Sequence, residues 1–77
     1  MSRIAVFVMD GAEEVECLTT VDFCRRAGLG VTTVSVTGTK QVRGRHDLIF
    51  NTDSVQEDVD FDVFDAVVDP GVAAPAE

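Results

Sequence analysis

The chain has 77 residues, with 14 acidic and 6 basic side chains and a formal net charge of −8. That length is one small domain at most, and such a chain buries only about 60% of the surface its unfolded form exposes. So few Lys and Arg residues exclude a polyanionic partner, because nucleic-acid binding needs clustered bases to displace counterions. No apolar run approaches ~18 residues and no charged leader precedes the first apolar stretch. The expectation is a cytoplasmic protein with neither a nucleic acid nor a membrane as partner.

Arg3 to Met9 is a continuous apolar run of strand length, the pattern of a strand buried on both faces. Asp10-Gly11 ends it. From Ala12 to Ala27 the spacing becomes helical. Val15, Leu18, Val21 and the Phe23/Ala27 pair are expected to face inward, leaving Glu13, Glu14, Arg25 and Arg26 to water. Acids open this segment and bases close it, as the helix dipole favours, and Gly28 is placed to end it in the left-handed conformation.

Val31 to Val36 is rich in β-branched residues and predicts a second strand. Strand, helix, strand over this distance is a βαβ unit with parallel strands and a right-handed crossover. Gln41 to Asn51, with Gly44 in its middle, predicts a short antiparallel pair at an edge. Ser54 and Glu57 have the spacing of a capping box for a brief helical turn. Phe64 to Val68 predicts a third core strand, ended by Asp69-Pro70-Gly71 at the same sheet edge as Asp10-Gly11. The acidic excess from Asp53 to Asp69 reads as a solvated edge. The fold class is therefore α/β: an incomplete flavodoxin-like parallel sheet with one long helix. With so little helix, part of the sheet should be bare unless a partner or further sequence covers it. Residues 1–71 form the domain part, and 72–77, without periodicity, a frayed tail.

Cys17 and Cys24 are seven apart in a predicted helix, about 10.5 Å along its axis, too far to bridge. Both are expected to be reduced and inert. With His46 they show no zinc-ligand spacing, so no metal and no cofactor is expected. A receiver domain using Asp10 and Asp69 for magnesium is disfavoured, since the paired acids after the first strand are missing. No glycine-rich phosphate or dinucleotide motif is present.

In open α/β sheets ligands sit outside the carboxyl ends of the strands, here the Asp10 to Glu16 loop and the Asp69 to Val72 loop. Glu16, on the first turn of the helix, is the candidate acid or base. The ordered blocks Gly11-Ala12-Glu13-Glu14-Val15-Glu16, Val21 to Gly28, Val31 to Gly38, Gly44-Arg45-His46 and Phe64 to Gly71 resemble the amino-terminal part of the DJ-1/ThiJ/PfpI superfamily. These proteins are class I glutamine amidotransferase-like and flavodoxin-like.

That resemblance implies a usually dimeric fold. It also implies a nucleophilic cysteine on a strained turn in a later part of the domain, hydrogen-bonded by a glutamate matching Glu16. The turn after the third strand, Gly71 and Val72, would supply oxyanion donors, and His46 would approach the neighbouring subunit's pocket. The implied chemistry is glyoxalase or deglycase action on a small carbonyl substrate or glycated adduct, in an oxidative-stress response; other branches are amidases, peptidases or chaperones. The chain departs from the pattern in two respects: it holds no elbow cysteine, and it reads Pro70-Gly71-Val72 where a second glycine is usual. The divergent tail points to a frameshift, an alternative exon or a decayed gene. The expectation is a truncated relative, inactive alone, or a binding module that forms a homodimer or pairs with a full-length relative.

Overall fold

The computed structural model describes residues 2–69. The apolar run becomes β1 (Arg3–Val8), followed by α1 (Glu14–Arg26) and β2 (Gly30–Ser35). A hairpin of β3 (Gln41–Arg43) and β4 (Ile49–Asn51) comes next, then β5 (Ser54–Val55), two short 3-10 turns, and β6 (Ala66–Val68). β1 pairs in parallel with β2 and with β6, and β2 in parallel with β5, giving the order β5-β2-β1-β6. The hairpin is antiparallel and forms its own two-stranded sheet. The architecture is α/β with a parallel four-stranded sheet, as expected of a partial flavodoxin-like fold.

Successive side chains of a strand point to opposite faces, and β1 uses both. Ile4, Val6 and Val8 pack toward α1, where Ile4 and Val6 meet Val21, and Val8 meets Cys17, Ala12 and Val42. On the other face Phe7 meets Phe61 edge-to-face at 5.4 Å, and Phe61 neighbours Phe64. The 3-10 segment thus partly covers a face that the sequence left bare. Exposure persists at Val67, on the outer strand β6.

The phase of α1 differs from the expected one, although Val21 is buried as expected. Its buried residues are Glu14, Cys17 and Val21, whereas Val15 and Phe23 are 74% and 73% exposed and Leu18 is 49% exposed. The two candidate stripes lie about 100° apart on the helix. Hydropathy chose the stripe beginning at Val15. The fold chose the one beginning at Glu14, because the hairpin offers that carboxylate hydrogen-bond donors. The carboxyl end behaves as expected: Gly28 takes φ +84° and its N–H donates to the Arg25 carbonyl, while the Leu29 N–H donates to the Cys24 carbonyl. This pair of bonds is a Schellman motif.

Two further expectations need correction. Ser54 does not cap a helix; it pairs with Val34 in β5, and the turn Gln56–Asp58 has no side-chain cap. The third strand begins only at Ala66, because Phe64 closes the preceding turn and the Asp65 carboxylate is occupied accepting the Arg3 N–H at 2.7 Å. Ala66 and Val67 are exposed, so the described part of β6 is an edge rather than a core strand. The acids from Asp53 onward are mostly exposed, as read from the sequence, yet several hold backbone. Asp53 accepts from the Thr33 N–H and hydroxyl, and Asp60 from the Asp62 N–H.

Candidate functional site

The parallel pairing puts the carboxyl ends of β1 and β6 at one edge of the sheet, with Val68 opposite Val6. The loop leaving β1 is fixed there by the hairpin. Gly11 N–H donates to the Arg43 carbonyl, Arg43 N–H to the Asp10 carboxylate, and Arg45 N–H to the Ala12 carbonyl. Asp10 thus gives one carboxylate oxygen to the hairpin backbone.

Glu14 is the most constrained polar side chain at this edge, and the sequence reading had left it to water. It is 5% exposed. One carboxylate oxygen, Oε2, accepts the backbone N–H groups of His46 and Leu48, the latter at 3.3 Å. The other, Oε1, lies 2.8 Å from His46 Nδ1. Glu14 thus pins the Gly44–Leu48 turn to the first turn of α1. Gly44 makes the approach possible: a Cβ there would lie 2.6 Å from Glu14 Cγ, Cδ and Oε2. Glu13, half-buried beside it, pairs with Arg45 at 3.5 Å and reaches His46 Nδ1 at 3.6 Å.

Burial alone would raise the Glu14 pKa. The hydrogen bonds from the His46 ring, from Glu14's own amide and from the His46 and Leu48 amides outweigh it and hold the carboxyl at about 2. His46 is pushed upward by its hydrogen bond to Glu14 and by the charges of Glu14 and Glu13, against its own desolvation and Arg45. A depressed carboxyl stabilises the fold above its unfolded pKa, near 4.5, and loses that contribution as pH falls toward 2. A raised histidine stabilises it fully below its unfolded value of 6.5 and loses that contribution as pH rises through the elevated folded value. The urea midpoint should therefore be highest between about pH 4.5 and 6.5 and fall on both sides. His46→Gln should flatten the alkaline limb, and an unchanged profile in that variant would remove the pair as its cause.

Glu16 lies on the same helical turn but on its exposed side. Its backbone carbonyl accepts the Thr20 hydroxyl at 2.8 Å. Among the described residues its carboxylate has no hydrogen-bond or ion-pair partner. Of the three carboxylates in Glu13-Glu14-x-Glu16, two are engaged within the fold and Glu16 is available to something else. Gly71 and Val72 lie outside the described residues. His46 is held on Glu14 within the same chain, though its side chain is 70% exposed.

The two cysteines are free. Cys17 is 2% exposed, and burial pushes its thiol pKa up. It faces the core while Glu16, next to it, faces outward, so the two are not a nucleophile and its acid. Cys24 is half-buried. In the native chain a thiol reagent should modify Cys24 at least roughly tenfold faster than Cys17, with the two equalising in urea. Equal native rates would contradict the burial of Cys17. A cavity of about 170 Å³ opens beside Cys17, Leu18, Val21 and Phe50, but none of Glu13, Glu14, Glu16 or His46 lines it.

The sequence analysis missed Glu14 because its partners are 32 and 34 positions away. The one available signal was a glycine followed by Arg45-His46, able to face the acids that open the helix. No helix among the described residues is long and apolar enough to cross a membrane.

A sequence model of the DJ-1/PfpI family matches residues 2–77. Protein dj-1beta of Drosophila melanogaster is 38% identical over 72 residues, which are 92% of this chain and 38% of that protein. YraA of Bacillus subtilis, which carries the provisional name of a cysteine protease, is 34% identical over 73 residues, 95% of this chain and 43% of that protein. The structure of oxidised Toxoplasma gondii DJ-1 superposes with a TM-score of 0.88 at 29% identity, over 95% of this chain and 40% of that one. The chain thus spans about two-fifths of the length of these relatives. Sequence and superposed fold agree across nearly the whole segment, and the chain belongs to the DJ-1/PfpI family.

Proposed function

We propose that Glu16 is the supporting carboxyl of a cysteine-centred site whose nucleophile is supplied by polypeptide other than these 77 residues. The observation that carries this reading is the division of labour at the start of α1: Glu13 and Glu14 are tied to the hairpin, and Glu16 is left exposed, without a partner among the described residues, at the carboxyl edge of β1. A thiolate is the reactive form of cysteine, and a carboxyl hydrogen-bonded to it would stabilise that charge. The Gly71 and Val72 amides would then receive the oxyanion formed on attack at a carbonyl. The substrate class that fits is a small reactive carbonyl such as methylglyoxal, or its adduct with an amine, in a glyoxalase or deglycase reaction. Neither cysteine of this chain fills the nucleophile's place, so the 77-residue chain should consume methylglyoxal no faster than buffer. Turnover by the chain alone that Glu16→Gln abolishes would overturn the need for a second source of cysteine.

A second reading rests on the outer face of α1, where Val15, Leu18 and Phe23 are exposed. Apolar side chains left outside on one helix suit a binding module that pairs with itself or with a full-length relative. Failure to co-purify with such a relative, or to change its activity, would count against it.

A further inference from the structure

Three candidate donors converge at the junction of α1 and the hairpin, and Glu16 is not among them. One oxygen of Glu13, one oxygen of Glu14 and a ring nitrogen of His46 all lie within 4.8 Å of one another. Expecting no metal rested on spacing along the chain, and spacing could not show this set, because 32 residues separate Glu14 from His46.

We propose that Glu13, Glu14 and His46 form a binding site for a divalent cation of the zinc type, held by two carboxylates and one imidazole. Bonds of about 2.0–2.2 Å to nitrogen and oxygen place tetrahedral donors roughly 3.3–3.6 Å apart. His46 Nδ1 stands 2.8 Å from Glu14 Oε1 and 3.6 Å from Glu13 Oε1, the first closer than this range and the second at its upper end. One oxygen of Glu13 lies within 4.8 Å of one oxygen of Glu14, so the two carboxylates would draw together around the ion.

Each carboxylate is also divided in its use. Glu14 gives Oε2 to two backbone amides and turns Oε1 to the ring. Glu13 gives Oε2 to Arg45 and turns Oε1 to the same ring nitrogen. Metal sites depend on such outer partners to orient their ligands, and here they are in place without the ion. The exposed side of His46 leaves room for water as a fourth ligand and a path for the ion. Three protein ligands with an open position are the pattern of a reactive rather than a closed structural zinc site. The imidazole and two oxygens also separate this set from the thiolate sites that Cys17 or Cys24 would make.

The test is titration of the full 77-residue chain with Co²⁺, a spectroscopic substitute for Zn²⁺, followed by displacement with Zn²⁺. The expected result is one Co²⁺ per chain, saturating below about 1 mM, without a thiolate-to-cobalt charge-transfer band. Glu13→Gln and His46→Ala should each weaken binding at least about tenfold. Both leave the Glu14 bonds to the backbone in place, so folding can be verified by circular dichroism. No saturable binding, a thiolate signature, or binding that neither substitution weakens would overturn the proposal. Glu16 has no part in the site, so these results are independent of the cysteine-centred reading.

Discussion

Glu14→Ala is expected to destabilise this protein more than any other substitution of a charged side chain. The change removes one side chain but strands several groups. The His46 and Leu48 N–H groups lose their acceptor, the His46 ring loses its partner, and a space opens beneath the hairpin turn. Donors left without partners cost more than the hydrogen bonds themselves contribute. The thermal midpoint should fall by on the order of 10 °C, given the ~4–8 °C that each kcal/mol represents in a domain this small. Hydrogen exchange at residues 44–48 should lose its protection while β1 and β2 keep theirs. Glu14→Gln, which retains one acceptor oxygen, should lie between the two. A melting temperature unchanged in Glu14→Ala would mean that the turn is held by something else.

Gly44→Ala comes second and acts from the opposite side of the same contact. The added methyl would lie 2.6 Å from three atoms of Glu14, a side chain its hydrogen bonds prevent from retreating. Overpacking of this kind costs about 1–3 kcal/mol. The backbone of Gly44 does not need a positive φ, since only Asp47 in this turn has one. The penalty is therefore steric rather than conformational, and the double substitution tests that directly. With Glu14 also replaced by alanine, the methyl at 44 should fit and most of its penalty should vanish. Simple additivity of the two effects would contradict direct contact between them.

How far the sequence revealed this structure can be traced through particular residues. β1, β2 and the parallel pairing between them were legible because an apolar run and a β-branched run flank a helical spacing. Gly28 was legible because a left-handed helix end needs a residue without Cβ. The face of α1 was not. Hydropathy assigns Val15 and Leu18 to the core and Glu14 to water, and only the distant amides of His46 and Leu48 reverse that order. Ser54 shows the same limit, since a local capping pattern yielded to a strand pairing with Val34. The candidate site divided likewise. Glu16 could be singled out from its place after β1, whereas the cluster of Glu13, Glu14 and His46 exists only once the hairpin folds back on the helix. Periodicity reports local geometry, and a buried carboxylate is decided by whichever donors the tertiary fold brings to it.

The central functional claim is that Glu16 supports a cysteine supplied from elsewhere, and a graft tests it most directly. Residues 1–69 of this chain would replace the matching segment of Drosophila dj-1beta, with the rate of methylglyoxal consumption measured beside the parent protein. The account predicts a folded chimera that consumes methylglyoxal and loses that rate by about 100-fold or more on Glu16→Gln, the scale of a positioned acid or base. A folded chimera whose turnover is indifferent to Glu16→Gln would contradict it.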